Sequence, residues 1–262
     1  MVSVIRRYWR HPLSNEAEVD SPQAISVHRT IIESKSIMRS VYRFWYGQFL
    51  PSVRATETLE GSLVEIGCGA SHLEKYIPDV IKTDCVAHSN IHQVVDATHL
   101  PFADGSLRAI FVLNAIHHFD YPTKFLKEAE RCLKPGGRLV ITEPSNSPIQ
   151  KFMIKKFHPY EYFDESVTDW VNTPHGRLSM ANNALPWIIF DRDRQKFTNL
   201  FPKLKILKSY RHTYLIYFAS GGLSYRSFLP GLVLPLIWAV EKVAQLFFPS
   251  LGTEMTVVIE KA

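Results

Sequence analysis

The stretch "GSLVEIGCGAS", Gly61 to Ser71, constrains this chain more than any other. A short apolar run carries a carboxylate, Glu65, near its end, and two glycines one residue apart, Gly67 and Gly69, follow it. A run of that length reads as a buried strand, and glycines directly after it form a loop whose backbone can approach a ligand closely. The residues beyond it keep an alternating rhythm. "ASHLEKYI" predicts a helix, "DVIKTD" a second strand, "HQVVDA" a short third and "LRAIFVLNAI" a fourth. "PTKFLKEAERCLKPGG" predicts a helix with Gly136 and Gly137 at its C-cap, and "RLVITEP" a fifth strand. "TEMTVVIEKA" alternates as a terminal strand, with "KLKILKSY" as its partner. Strands alternating with helices pair in parallel under helices on both faces, so the expected fold class is α/β, a doubly wound sheet. "AIFVLNAI", apolar on both faces, suits its centre.

The loop's chemistry excludes the commoner ligands of such sheets. A dinucleotide fingerprint needs a third glycine where this chain has His72, and the Gly-Lys-Ser/Thr of a P-loop is absent. Glu65 would also face a pyrophosphate with like charge. The same carboxylate favours a ligand that brings ammonium or sulfonium groups to the loop, and S-adenosylmethionine brings both without a phosphate. Asp84 closes the second strand, where an acceptor for the ribose hydroxyls belongs. Asp96 closes the third and could accept from the adenine amino group. Three acids at three successive strand ends converge on one crevice.

On "VEIGCGAS", "DATHLPFADGSL", "NAIHHF" and "LKPGGRLVITEP", the segment from Ser62 to about Pro144 resembles the class I S-adenosylmethionine-dependent methyltransferases, in their small-molecule branch. The resemblance implies a seven-stranded Rossmann-like sheet with the last strand antiparallel, and methyl transfer from S-adenosylmethionine. It implies that Glu65, Gly67 and Gly69, with Cys68 between the glycines, contact the methionine part of the cofactor. Asp84 is implied at the ribose, Asp96 and Ala97 at the adenine, and Asn114 facing the methyl-transfer site. The chain departs from the family pattern at Ser71, where a third glycine is common, and at Arg108, where an acid usually precedes the fourth strand. The segment between Asp84 and Asp96 is short enough to reduce the usual helix to a turn.

His117 and His118 follow the fourth strand. A hydroxyl nucleophile needs a base, and histidine titrates in the useful range, so either is a candidate catalytic base; packing against the cofactor is the alternative role. The base-amino methyltransferase motif, Asn or Asp before Pro-Pro-aromatic, is missing, and no zinc cluster is spaced to activate a thiol. Oxygen or carbon is preferred as the methylated atom, by elimination.

The net charge of +5 permits an anionic partner without requiring one. It is too scattered for a nucleic-acid groove, so no nucleic acid is expected. Three cysteines, far apart, read as reduced thiols of a cytoplasmic protein. No apolar run reaches the roughly 18 residues of a spanning helix. Lys35, Arg39 and Arg43 recur every four residues on an expected N-terminal helix, with His28 before them. "LPLIWAVEKVAQLFF" is apolar but for Glu241, Lys242 and Gln245. Each has a bland reading, a solvated face and a core helix or lid. Together they raise the alternative of peripheral membrane contact and a lipid-linked acceptor.

The expected organisation is a lead-in and helical lid over residues 1–60, its first two dozen residues poorly ordered. A cofactor-binding domain follows over 61–262, with a substrate-side insertion at about 145–201. The expected function is methyl transfer to a small-molecule or lipid- or glycan-linked acceptor. An RNA or protein methyltransferase, or a silent S-adenosylmethionine-binding module, are the alternatives.

Overall fold

The computed structural model of the chain describes residues 8–18, 21–157, 161–172 and 181–262. Seven strands form one sheet: β1 Ser62–Ile66, β2 Val80–Asp84, β3 Gln93–Val94, β4 Leu107–Leu113, β5 Leu133–Pro144, β6 Leu204–His212 and β7 Glu254–Lys261. Their order is β3-β2-β1-β4-β5-β7-β6, with β7 antiparallel to both β5 and β6 and the pairs from β3 to β5 parallel. The order reverses between β1 and β4, the switch point outside which doubly wound sheets bind ligands. The α/β sheet with its last strand antiparallel is the one expected.

Apolar side chains cover both faces. On one side Tyr46, Phe49, Leu73 and Ile77 pack on Leu63, Val80, Phe111 and Val140. On the other, Phe125, Leu126 and Ala129 of helix α4 (Pro122–Cys132) join Phe190, Phe197 and Phe201 over Val64, Ile110 and Ile141. Before the sheet stand α1 (Pro22–Ser34), α2 (Ser36–Gly47) and α3 (Leu50–Ala55); after β5 comes α5 (Pro148–Phe157), and then α6 (Arg194–Leu200), α7 (Ile216–Ser220) and α8 (Leu234–Phe247).

Several local expectations change. "ASHLEKYI" holds only a 3-10 turn, Leu73–Lys75. Pro78 and the start of β2 at Val80 leave no room for a longer helix, and the Ser71 hydroxyl takes the Leu73 N–H. Gly136 and Gly137 do not cap α4, which ends at Cys132; they lie inside β5, where a side chain at Gly137 would meet the Lys134 carbonyl at 2.8 Å. Residues 8–18 are tied down: Arg10 bridges to Tyr225 and the His11 N–H donates to the Ser224 carbonyl at 3.0 Å.

The basic stripe dissolves at Lys35. That residue sits in extended geometry between α1 and α2, buried, and its ammonium donates to the carbonyls of Gly222 and of Tyr225, the latter at 2.9 Å. Helix α8 is also turned against expectation. Its acid, Glu241, faces inward and accepts from the N–H groups of Tyr214, Leu215 and Ile216 at 2.8, 2.6 and 2.9 Å, where α7 begins. Leu234, Ile237 and Trp238 pack inward with it, while Leu236, Val240, Val243, Leu246 and Phe247 are exposed. No helix among the described residues is long and apolar enough to cross a membrane.

Candidate active site

The carboxyl ends of β1, β4 and β5 meet at a cavity of about 760 Å³. Cys68, Ala70 and Ser71 of the glycine loop line one end, and Asn114, His117 and His118 the middle. Tyr42, Trp45 and Tyr217 line it as well.

Gly67 has φ +67°, and a Cβ there would lie 2.8 Å from that of Ala115, so no other residue fits. Gly69, at φ +45°, faces open space, which lets a ligand come up against bare backbone. Beneath them Glu65 is 1% exposed. Its Oε2 accepts from the Ser71 hydroxyl at 2.9 Å, and Ser71 in turn meets the Tyr46 hydroxyl at 3.2 Å. The departure from a third glycine is thus functional in the loop: the serine side chain anchors the acid. Arg29 of α1 holds the Ser71 carbonyl, and Asn90 donates to the carbonyls of Gly69 and Ser71 at 3.0 Å each. The other oxygen of Glu65, Oε1, is buried with no hydrogen-bond partner. Burial, countered by the Ser71 hydrogen bond, pushes this carboxyl up to about 8. A buried acid with one unsatisfied oxygen is suited to a cation and opposed to a phosphate.

Asp84 is buried and ties β2 to the loop, its Oδ2 accepting from the Gly69 N–H at 2.8 Å and Oδ1 from Val86 at 3.1 Å. Asp96 lies just past β3, which pairs with Asp84 through Val94, so both acids stand at the same edge of the sheet. Asp96 is exposed and closes an Asx turn, Oδ1 accepting from the Thr98 N–H at 2.7 Å; Ala97 is half-buried. Asp84, Asp96 and Glu65 do not line the cavity itself, whereas Cys68 and Asn114 do. Burial pushes the Cys68 thiol well up, so it is a wall and not a nucleophile. Arg108, on β4, reaches the Thr56 carbonyl at 3.5 Å, away from the loop.

Asn114 has φ +48°, a strained value for a residue with a side chain, and its Oδ1 is buried without a partner. Strain plus an orphaned acceptor at the mouth of β4 marks a place where the fold is held for a ligand. Next to it, His117 is 3% exposed and its Nδ1 lies 2.5 Å from Glu143 Oε2. Glu143, at the end of β5, also accepts from the Ala115 and Ile116 N–H groups at 2.7 and 2.8 Å. Burial disfavours charge on His117, but the Glu143 carboxylate outweighs it and holds the imidazole above its ordinary value. His118 Nε2 is 3.9 Å from Glu161 Oε1.

Three carboxylates here have no signature in the sequence. Glu143 sits inside "ITEPS" as an ordinary strand residue, Glu161 lies in the insertion, and Glu254 opens β7. Glu254 is 3% exposed, lines the cavity, and has a buried Oε2 without a partner. Burial, and then the charges of Glu143 and Glu161, hold its carboxyl well above the usual carboxylate range. Ligating atoms of His117, His118 and Glu161 lie within 4.8 Å of one another, as do those of Cys68, Asp84 and His88. Linear spacing reveals neither group.

The unsatisfied oxygens of Glu65 and Asn114 and the open backbone at Gly69 fit a cationic nucleoside with an amino-acid end. Comparison with known proteins bears on the family and the fold. Residues 64–141 match the family model described as a methyltransferase domain. The demethylmenaquinone methyltransferase of Beutenbergia cavernae is 33% identical over 93 residues, 29% of this chain and 39% of that protein. The chloroplastic tocopherol O-methyltransferase of Arabidopsis thaliana is 27% identical over 100 residues, 30% of this chain and 29% of that one. The chain spans less than half the length of these curated relatives. A chain from the complex of the Haloferax volcanii Trm112 methyltransferase activator with a methyltransferase shares the fold, with a TM-score of 0.50 at 14% identity; the match covers 91% of this chain and 95% of that one.

Proposed function

We propose that this chain, a class I S-adenosylmethionine-dependent methyltransferase by fold and family, moves a methyl group onto an oxygen of a small-molecule or lipid-linked acceptor. When bound, the cofactor supplies an electrophilic methyl on a sulfonium. Glu65, Gly67 and Gly69 would hold its amino-acid end, with Cys68 as wall. Asp84 would take the ribose hydroxyls, and Asp96 with Ala97 the adenine. Asn114 would line the methyl-transfer position, where in-line placement contributes most of the rate.

The observation that carries the oxygen acceptor is the His117–Glu143 pair. Glu143 is itself locked by two backbone N–H groups, and it fixes the imidazole through Nδ1. That leaves Nε2 as the nitrogen able to take the acceptor's hydroxyl proton while Glu143 steadies the imidazolium. His118, beside Glu161, is the alternative base. The aromatic lining of Tyr42, Trp45 and Tyr217 suits an apolar or ring-bearing acceptor, and the relatives' names carry demethylmenaquinone and tocopherol. The exposed apolar side of α8 supports the lipid-linked form, reached from a membrane surface. In this reading residues 61–262 form the methyltransferase domain with a substrate-side insertion at about 145–201, and residues before 61 act as its lid.

The test is radiolabelled methyl transfer from S-adenosylmethionine into aqueous and lipid extracts of the cells that make the protein. Label in one lipid-phase product, released by hydriodic acid as an O-methyl group should be, is expected. His117→Ala should lower its formation about a hundredfold, within the usual range of general-base catalysis, with cofactor affinity intact. Label that resists hydriodic acid would replace oxygen with carbon.

A further inference from the structure

We propose that the outward face of α8, together with the Phe228–Leu232 approach to it, seats the protein on an anionic lipid bilayer. The choice of a bilayer as occupant rests on the lipid-linked reading above, but docking is measured without turnover, so the two can fail separately.

An amphipathic helix at a protein surface normally buries its apolar stripe. This one packs one apolar side inward, through Leu234, Ile237 and Trp238, and leaves a second apolar side exposed. Leu236, Val240, Val243 and Phe247, spaced three or four residues apart, are 66%, 43%, 55% and 67% exposed. Leu232 before them and Leu246 among them stand out still further. The inward side holds only Ile237 and the capping Glu241 as buried residues, with Trp238 donating to Ser40 of α2 at 2.9 Å. A contiguous apolar stripe of this length exceeds the scattered single residues that a soluble surface carries, and so marks an interaction surface.

Two observations choose a bilayer as the partner. The first is charge. Arg43 of α2 and Lys242 of α8, both exposed, line one groove between the two helices, and Arg39 is exposed one turn earlier on α2. The one acid of α8 is turned inward, so Lys242 is the charge that the helix presents to solvent. Basic residues bordering an apolar helix fit anionic headgroups above acyl chains. A second copy packed on the same face about a two-fold axis would bring these like charges together.

The second is continuity with the cavity. Phe228 stacks on Phe218 with ring centroids 5.1 Å apart and touches Trp9 at 5.7 Å. Phe157 meets Phe218 and Tyr225 edge-on. Phe157, Phe218, Tyr225 and Phe228 all line the cavity that holds His117. An apolar path therefore runs from the exposed helix, past Leu229, to the acceptor side of the site. Tyr8 and Trp9, both exposed beside it, are the residue types that settle at a membrane–water interface. An acceptor carried on an acyl or prenyl chain could enter without leaving lipid.

The test is co-sedimentation of the full chain with large vesicles of phosphatidylcholine alone, or of phosphatidylcholine with about 30% phosphatidylglycerol, a content chosen to give an anionic surface. Binding to the anionic vesicles is expected, and weaker binding to neutral ones. The triple substitution Leu236→Ser, Val243→Ser, Leu246→Ser should cut it at least tenfold while melting temperature and S-adenosylhomocysteine binding stay unchanged. Arg43→Glu with Lys242→Glu should remove the preference for anionic lipid, each basic residue being worth about fivefold. Recovery of the unaltered chain in the supernatant with both vesicle types would overturn the proposal, as would undiminished binding by the triple variant. A dimer in light scattering that the triple variant dissociates, without vesicle binding, would assign the face to a second copy instead.

Discussion

Glu65 offers a prediction with a sign that no bystander residue would reproduce. Burial pushes its carboxyl up to about 8. At pH 7 only about one molecule in ten has it ionised, and ionising the rest costs about 1.4 kcal/mol, the value of one pH unit. If the cofactor's ammonium binds the ionised form, binding at pH 7 should release about 0.9 proton. Affinity should then rise close to tenfold per pH unit between pH 6 and 7, a range in which the ligand's own amine stays protonated. A hydrogen bond to a charged group is worth about 1.5–3 kcal/mol. Glu65→Gln should therefore weaken S-adenosylhomocysteine about 13- to 150-fold at high pH and about tenfold less at pH 7, the two curves converging as pH falls. Calorimetry in buffers of different ionisation enthalpy reads the proton directly. Proton-neutral binding, or a Glu65→Gln variant with wild-type affinity at every pH, would refute the reasoning.

Four further outcomes follow from the same geometry. Gly67→Ala, with φ +67° and a Cβ contact of 2.8 Å to Ala115, should destabilise the fold by about 1–3 kcal/mol in chemical denaturation. Gly69→Ala, at φ +45° but facing open space, should cost less stability and reduce cofactor affinity more than melting temperature. Glu143→Gln, which loses the charge but keeps one acceptor, should lower the His117 imidazole titration seen by NMR toward or below its ordinary value. A raised histidine pKa stabilises below the unfolded value of about 6.5 and loses that contribution as pH rises through the folded value, so the variant should also flatten stability above pH 6.5. Glu254 works the other way: its carboxyl is held high, so the folded state loses stability as pH rises above the unfolded value of about 4.5. Glu254→Gln should raise the melting temperature at pH 8 more than at pH 5.

How much of this was legible in the sequence depended on whether a feature was local. The strands announced themselves through apolar runs and turns, and the acid–glycine loop through spacing alone, because strand, carboxylate and glycines are contiguous there. Asp84 and Asp96 were expected by position alone; Asp84 ends β2, Asp96 lies just past β3, and both are engaged in backbone hydrogen bonds that a position cannot reveal. Contacts made by distant segments were hidden. Glu143 supports His117 across 26 positions, Lys35 reaches Tyr225 across 190, and Tyr46 braces Ser71 across 25. Helix α8 shows the limit most plainly: its hydrophobic pattern was visible, but which side faced the protein was decided by Glu241 capping α7. The short linker to β2 likewise cancelled a helix that residue types alone supported.

The most direct measurement is a calorimetric titration of the purified chain with S-adenosylhomocysteine, beside parallel titrations with NAD and ADP. Saturable one-to-one binding of the sulfur nucleoside, with no heat from either diphosphate, is the expected result. A diphosphate that binds while S-adenosylhomocysteine does not would contradict the account at its root.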